Sequence, residues 1–228
     1  MARGLIIAVS NVNVSVSGLK SPSTSVLIIV VMTLLAVAPS VLMLMTSFPR
    51  VLIVLSLTRN ALGTQTVPPN QVLAGLALIL SLFIMAPVIS NINHVAIQPY
   101  EQGKVSATQA IDLGEVPLKQ WMLKQTKTQE LELFAGYANQ NVKNPGALPL
   151  TTVVPAFVLS EIESAFLIGF MIFIPFMIID LVVSAIMMSM GMYMLPPTLI
   201  SLPFKILLFV LVNGWSLVVH SLLLSFNR

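Results

Sequence analysis

Residues 155–195 read PAFVLSEIESAFLIGFMIFIPFMIIDLVVSAIMMSMGMYML, and the length of this apolar run decides what kind of molecule the chain is. Its only charges are Glu161, Glu163 and Asp180. As one helix it would run to about 60 Å at 1.5 Å per residue, twice the roughly 30 Å of a bilayer core. Two arrangements follow. Either two helices fold back as a hairpin broken near Pro175 or Asp180, or one long helix leaves the membrane.

The rest of the chain agrees with that choice of class. Of 228 residues, 57% are hydrophobic and 8% charged, with mean hydropathy +0.96 and no cysteine. A soluble domain carries about 25% charged residues. This composition excludes a disordered chain, a disulfide scaffold and an ordinary soluble enzyme. Net charge +3 and a pI near 9.4 do not indicate nucleic acid, because the charges are too few and too scattered. Of the 11 Lys/Arg and 8 Asp/Glu, five of each lie between Asn91 and Leu150. A neutral, polar insert therefore separates two apolar halves. The expected organisation is a lead-in over residues 1–25, a first apolar half over 26–92, a helical insert over 93–150 and a second apolar half over 151–228.

Val26 to Phe48 reads as a helix about 34 Å long, kinked at Pro39. The N-terminal apolar run Leu5 to Val9 is shorter than a signal-peptide core, so cleavage is not expected. Gly63 and Pro68-Pro69 break the chain after Arg59, and Asn70 is placed to cap a helix over Gln71 to Ile89. In the insert, Ser106 and Gln109 have capping-box spacing, Gly114 is expected to stop that helix, and Pro117 to open a longer one. Leu118, Trp121, Met122, Leu131, Phe134 and Tyr137 give the latter an apolar stripe that docks on its own chain. Asn144-Pro145-Gly146 marks a turn. After Pro196-Pro197 a last helix is expected from Thr198 to Phe226. The matching double-proline joints invite a comparison of two helical hairpins.

Catalytic parts are missing from the pattern. His94 and His220 are isolated, and no metal spacing, phosphate loop or nucleophile motif appears. No cofactor or metal is expected. Asp180 in an apolar helix costs about 2.5–3.5 kcal/mol on insertion scales, so it requires a partner. Lys205, Arg50 and Arg59 are the basic candidates in the apolar halves, and structural pairing is favoured over an ion relay. Met187, Met188, Met190, Met192 and Met194 crowd around Gly191 before a double proline. Thioethers are flexible and re-pack readily. Core or lipid packing is the plain reading, and a deformable seal across a pore the sharper one.

Four ordered segments resemble the FliP family of flagellar biosynthetic proteins: RNALGTQTVPPNQVLAGLALILSLFIMAPV (59–88), PLKQWMLKQT (117–126), IGFMIFIPFMIIDLVVSAIMMSMGMYMLPP (168–197) and SLPFKILLFVLVNGW (201–215). The virulence-secretion relative SctR shares much of this pattern, but the PPNQVL and PLKQWMLKQT wording looks flagellar. The resemblance implies an all-α fold of membrane-associated helical hairpins, stacking with partners into a hollow helical export gate. It implies a non-enzymatic, pore-forming subunit that passes unfolded flagellar subunits across the bacterial inner membrane. Its implied partners are further copies of itself, FliQ-type and FliR-type subunits, FlhB and FlhA, with membrane lipid around the complex. Much of the core, including the insert, is implied to lie on the periplasmic side.

The family's methionine-rich constriction maps onto Met192, Tyr193 and Met194, with Met187, Met188 and Met190 as neighbours. Tyr193 departs from the usual third methionine. Glu163 stands where the family often has Lys, which reverses the sign of any ion pair there. Asn213 stands where a buried Asp is usual. Arg59, Glu161, Glu163, Asp180 and Lys205 are expected to serve assembly. A four-span transporter working as a monomer or dimer is the alternative of a different class, and an intramembrane enzyme has no positive support.

Overall fold

The computed structural model describes residues 22–142, 144–192 and 194–226. Their regular structure is helical, with no strand among them: α1 (Pro22–Leu44), α2 (Phe48–Ala61), α3 (Asn70–Ile92), α4 (Gln98–Glu101), α5 (Ala107–Gln125), α6 (Thr128–Tyr137), α7 (Leu150–Ser189), α8 (Pro197–Leu211) and α9 (Gly214–Ser225). Two compact units divide the chain after Val41. The first holds most of α1, which is uncharged and carries Pro39 within it. The second holds α2 to α9. The lead-in before Pro22 lies outside the described residues.

The long apolar run is one helix. α7 covers 40 residues without a break at Pro175 or Asp180, although Pro155 and Pro175 each remove an internal hydrogen bond. Packing holds it across these gaps. α2 lies along α7, with Val51, Val54 and Leu55 meeting Ala165 and Phe176 in the larger apolar cluster. There is no room for a side chain at Gly169, where a Cβ would stand 2.2 Å from Leu57 Cδ1.

The insert docks on this frame through a second cluster. Met122 on α5 and Leu131 and Ala135 on α6 pack with Val153, Ala156 and Phe157 of α7. The capping box at Ser106 forms, with Ser106 N donating to Gln109 Oε1 at 2.9 Å. Gly114 and Pro117 interrupt nothing, however, and α5 runs through both. A Cβ at Gly114 would meet Ala96 and Ile92 at ordinary van der Waals distance, so α5 does not need glycine there. The stripe read as one helix to Tyr137 is two, broken at Thr126–Lys127, where Lys127 N donates to Ser160 Oγ of α7 at 3.0 Å. Tyr137 ends up exposed.

Two more boundaries differ from expectation. α3 begins at Asn70 itself, and a π-turn over Asn93–Ile97 carries it on to α4. The expected final helix is divided at Val212–Asn213, where Asn213 takes a left-handed φ of 52° that asparagine tolerates. α8 and α9 are bent by 64° there. Position 213 is exposed in this chain rather than buried. The bend sets Phe209 edge-on to Trp215, with ring centroids 5.3 Å apart, and leaves no room for a Cβ at Gly214.

Among the described residues, Asn70–Glu101 and Leu150–Ser189 are long and apolar enough to cross a membrane, and α8 with α9 would make a bent third. Only 11% of the most apolar window of α7 is buried. We predict that Gly169→Leu, which drives a branched side chain into Leu57, destabilises the chain by about 1–3 kcal/mol. Thermal unfolding in detergent checks this, and an unchanged midpoint would show that α2 and α7 do not meet there.

Candidate functional site: buried ion pairs and the methionine turn

Three polar features interrupt the apolar helices. The first centres on Arg50, in the first turn of α2 and 3% exposed. Its Nε donates to Glu161 Oε2 at 3.0 Å and its Nη2 to Glu161 Oε1, so the guanidinium meets the carboxylate as a fork. Nη1 donates to the backbone oxygen and Oγ of Ser225, each at 3.1 Å, and Nη2 reaches Gln125 Oε1 at 3.4 Å. The Phe226 ring lies against the guanidinium face, 4.0 Å from Cζ to the ring centroid. Gln125 Nε2 donates to Phe226 O at 3.2 Å. One side chain thus joins α2, α5, α7 and the end of α9. Both charges are desolvated, and the bidentate geometry with the extra acceptors offsets that cost.

The second feature is Asp180. Lys205 Nζ of α8 donates to Asp180 Oδ2 at 2.5 Å, and Ser201 Oγ donates to Oδ1 at 2.5 Å. Lys205 also donates to Ala61 O at 3.3 Å, satisfying a carbonyl at the C-terminal end of α2. Of the three basic candidates, Lys205 is therefore the one beside Asp180. Arg50 is taken by Glu161. Arg59 lies apart, with Nη1 donating to Pro68 O at 3.0 Å and Asn70 Oδ1 at 2.7 Å. Its Nε is buried without a partner among the described residues. The Asn70 side chain thus holds Arg59 instead of capping α3.

Glu163 turns to the opposite side of α7 from Glu161. It pairs with Lys127 at 2.7 Å, with both side chains partly exposed. The acid found where the family pattern often has a Lys has a basic partner within the same chain.

The third feature is the turn between α7 and α8. Gly191 N donates to Met188 O at 3.1 Å and Met192 N to Met187 O at 3.0 Å, with Gly191 at φ 73°. This is a Schellman ending, in which glycine supplies the left-handed residue at low steric cost. Pro196 and Pro197 then start α8. Met187 and Met188 belong to the last helical turn rather than the loop, and Met187 is buried. Met190 and Met194 are 67% and 97% exposed, and Met192 is partly exposed. Tyr193 lies outside the described residues.

Among the described residues no three His, Asp or Glu side chains gather as a metal site requires. Sequence reasoning placed Arg50 only as a candidate for Asp180. The signal available for its true partner was Glu161, an acid in an apolar run with no nearby base in sequence.

Known proteins place this arrangement in a family. The FliP family matches residues 31–222. The chain is 55% identical over 207 residues to the flagellar biosynthetic protein FliP of Bacillus subtilis (strain 168), covering 90% of this chain and 93% of that protein. It is 49% identical to the FliP of Pectobacterium carotovorum subsp. carotovorum, covering 92% and 82% of the two chains. The FliP of Aquifex aeolicus (strain VF5) is 48% identical, over 89% and 86%. The chain belongs to the FliP family.

The two ion pairs should not respond equally to mutation. Arg50→Ala strands a fully buried carboxylate and is expected to cost about 3–5 kcal/mol. Lys205→Ala should cost less, because Asp180 keeps a third of its side chain exposed and retains Ser201 as donor. Chemical denaturation of both variants in detergent tests the order, and a larger loss for Lys205→Ala would contradict it.

Proposed function

We propose that this chain is a pore-forming subunit of the flagellar type III export gate in the bacterial inner membrane, through which unfolded flagellar subunits leave the cytoplasm. The observation that carries the reading is the methionine turn. Met190 and Met194 stand exposed at the tip of the α7–α8 hairpin, on a loop tied at both ends by the Gly191 ending and the double proline. A water-exposed thioether loop on an isolated chain is unfavourable. Several copies brought together would cover it, and soft, unbranched side chains would close around one another yet yield to varied cargo.

In this reading Met192, Tyr193 and Met194 line the closed constriction, with Met188 and Met190 beside them. Met187, being buried, supports the turn from behind. Asp180, Lys205 and Ser201 fix the two stems of the hairpin, and Glu161 with Arg50 fixes the frame behind it. The subunit is non-enzymatic: it supplies a shaped passage, and its charged residues hold parts together. FliQ-type and FliR-type subunits complete the gate with further copies of this chain, and FlhA and FlhB act beside it. Much of the assembled core, insert included, stands on the periplasmic side. The uncovered apolar faces of α3 and α7 are the surfaces that partners and lipid cover.

Two measurements test this. Co-expression with FliQ-type and FliR-type subunits should yield a particle whose measured mass requires several copies of this chain, whereas a lone monomer would favour a small transporter. Replacing Met192, Tyr193 and Met194 together by Ala should raise ion leakage through the assembled gate. Unchanged leakage would falsify the seal.

A further inference from the structure

The boundary between the apolar helices and the insert carries two adjoining clefts that share Lys124 and Gln125. The larger, about 670 Å³, lies between α3, α5 and α9, and its floor is Phe83, Ile84, Pro87 and Leu223. Trp121 and Phe226 wall it, their rings stacked 6.4 Å apart at 18°. The smaller, about 270 Å³, brings together Arg50, Lys124, Lys127 and the Ser164 hydroxyl above Leu167 and Ile168. Six apolar side chains line the larger cleft, the basic side chains gather in the smaller, and Lys124 and Gln125 line both.

The charges there do not balance. Arg50 is neutralised by Glu161 and Lys127 by Glu163. Lys124 is exposed and has no ion pair among the described residues, so the basic cleft holds one cation in excess. Phe83, beneath it on a helix apolar enough to cross a membrane, is 67% exposed. An apolar helix face topped by Trp and Lys is the pattern found where a protein meets lipid headgroups. Basic pockets between such helices take anionic headgroups.

We propose that these joined clefts bind one anionic phospholipid. Its phosphate lies between Lys124, Lys127 and Ser164, and an acyl chain runs over Phe83, Ile84 and Leu223. Two features favour a lipid over an acidic segment of a partner protein. The unpaired cation calls for a single anion, and the apolar cleft directly beside it would be left empty by a carboxylate side chain. The inference concerns the outer flank of the frame and is independent of the constriction reading.

The full chain in detergent, followed by native mass spectrometry, tests it. With added phosphatidylglycerol one lipid should remain bound, while phosphatidylcholine at the same concentration and inorganic phosphate should not. Lys124→Gln, which breaks no hydrogen bond or ion pair among the described residues, should weaken phosphatidylglycerol retention about fivefold, and adding Lys127→Gln should weaken it further. Lys104→Gln, on an exposed turn elsewhere, should match the unaltered chain. Equal retention of the two lipids, binding of phosphate alone, or no change in Lys124→Gln would each overturn the site.

Discussion

A guanidinium cannot be taken out of water alone, and Arg50 is taken out almost completely. Glu161 answers its charge, Ser225 and Gln125 take its remaining hydrogens, and Phe226 covers its face. The partners come from α5, α7 and the end of α9, so satisfying one charge on α2 fixes four elements relative to one another. The apolar contacts around it are numerous, but greasy helices slide past each other at little cost. A buried fork with specific acceptors does not. The register of α2 against α7, and with it the approach of Leu57 to Gly169, follows from where this pair can close.

The second pair works on a different scale. Asp180, Ser201 and Lys205 join α7 to α8, and Lys205 reaches back to the end of α2. The methionine turn extends beyond this tie, anchored among the described residues by the backbone hydrogen bonds of its glycine ending. The stems are fixed by these bonds, whereas Met190 and Met194 beyond them are exposed. The polar layer at Arg50, Lys127 and Glu163 marks the opposite side of the apolar zone. α2, with 14 residues and about 21 Å of length, is too short to cross a bilayer core alone. α3 with its continuation and α7 are long and apolar enough to span, and most of their apolar surface is uncovered within the chain.

Several features were legible from residues alone because they depend on neighbours in sequence. The capping box at Ser106 is one, the Gly63 ending before Pro68-Pro69 another, and the helical class follows from composition. The breaks were less legible. Gly114 and Pro117 looked like punctuation but lie inside α5, where Pro117 is buried. Asn213 looked like part of a continuous helix, yet its left-handed backbone ends α8 and lets Phe209 meet Trp215. Local propensity is a weak prior, and packing overrides it in both directions.

The sequence by itself determined that the chain is all-helical, that its apolar surface exceeds what one subunit can bury, and that a few charges must be compensated. These follow from side-chain chemistry and from periodicities a few residues long. Only the tertiary structure decided which charge meets which. Arg50 lies 111 residues from Glu161, and Lys205 lies 25 from Asp180. All the basic candidates carry the same charge, so sequence could not rank them. The choice rests on distances of a few ångströms, which exist only once α2, α7, α8 and α9 have been packed together.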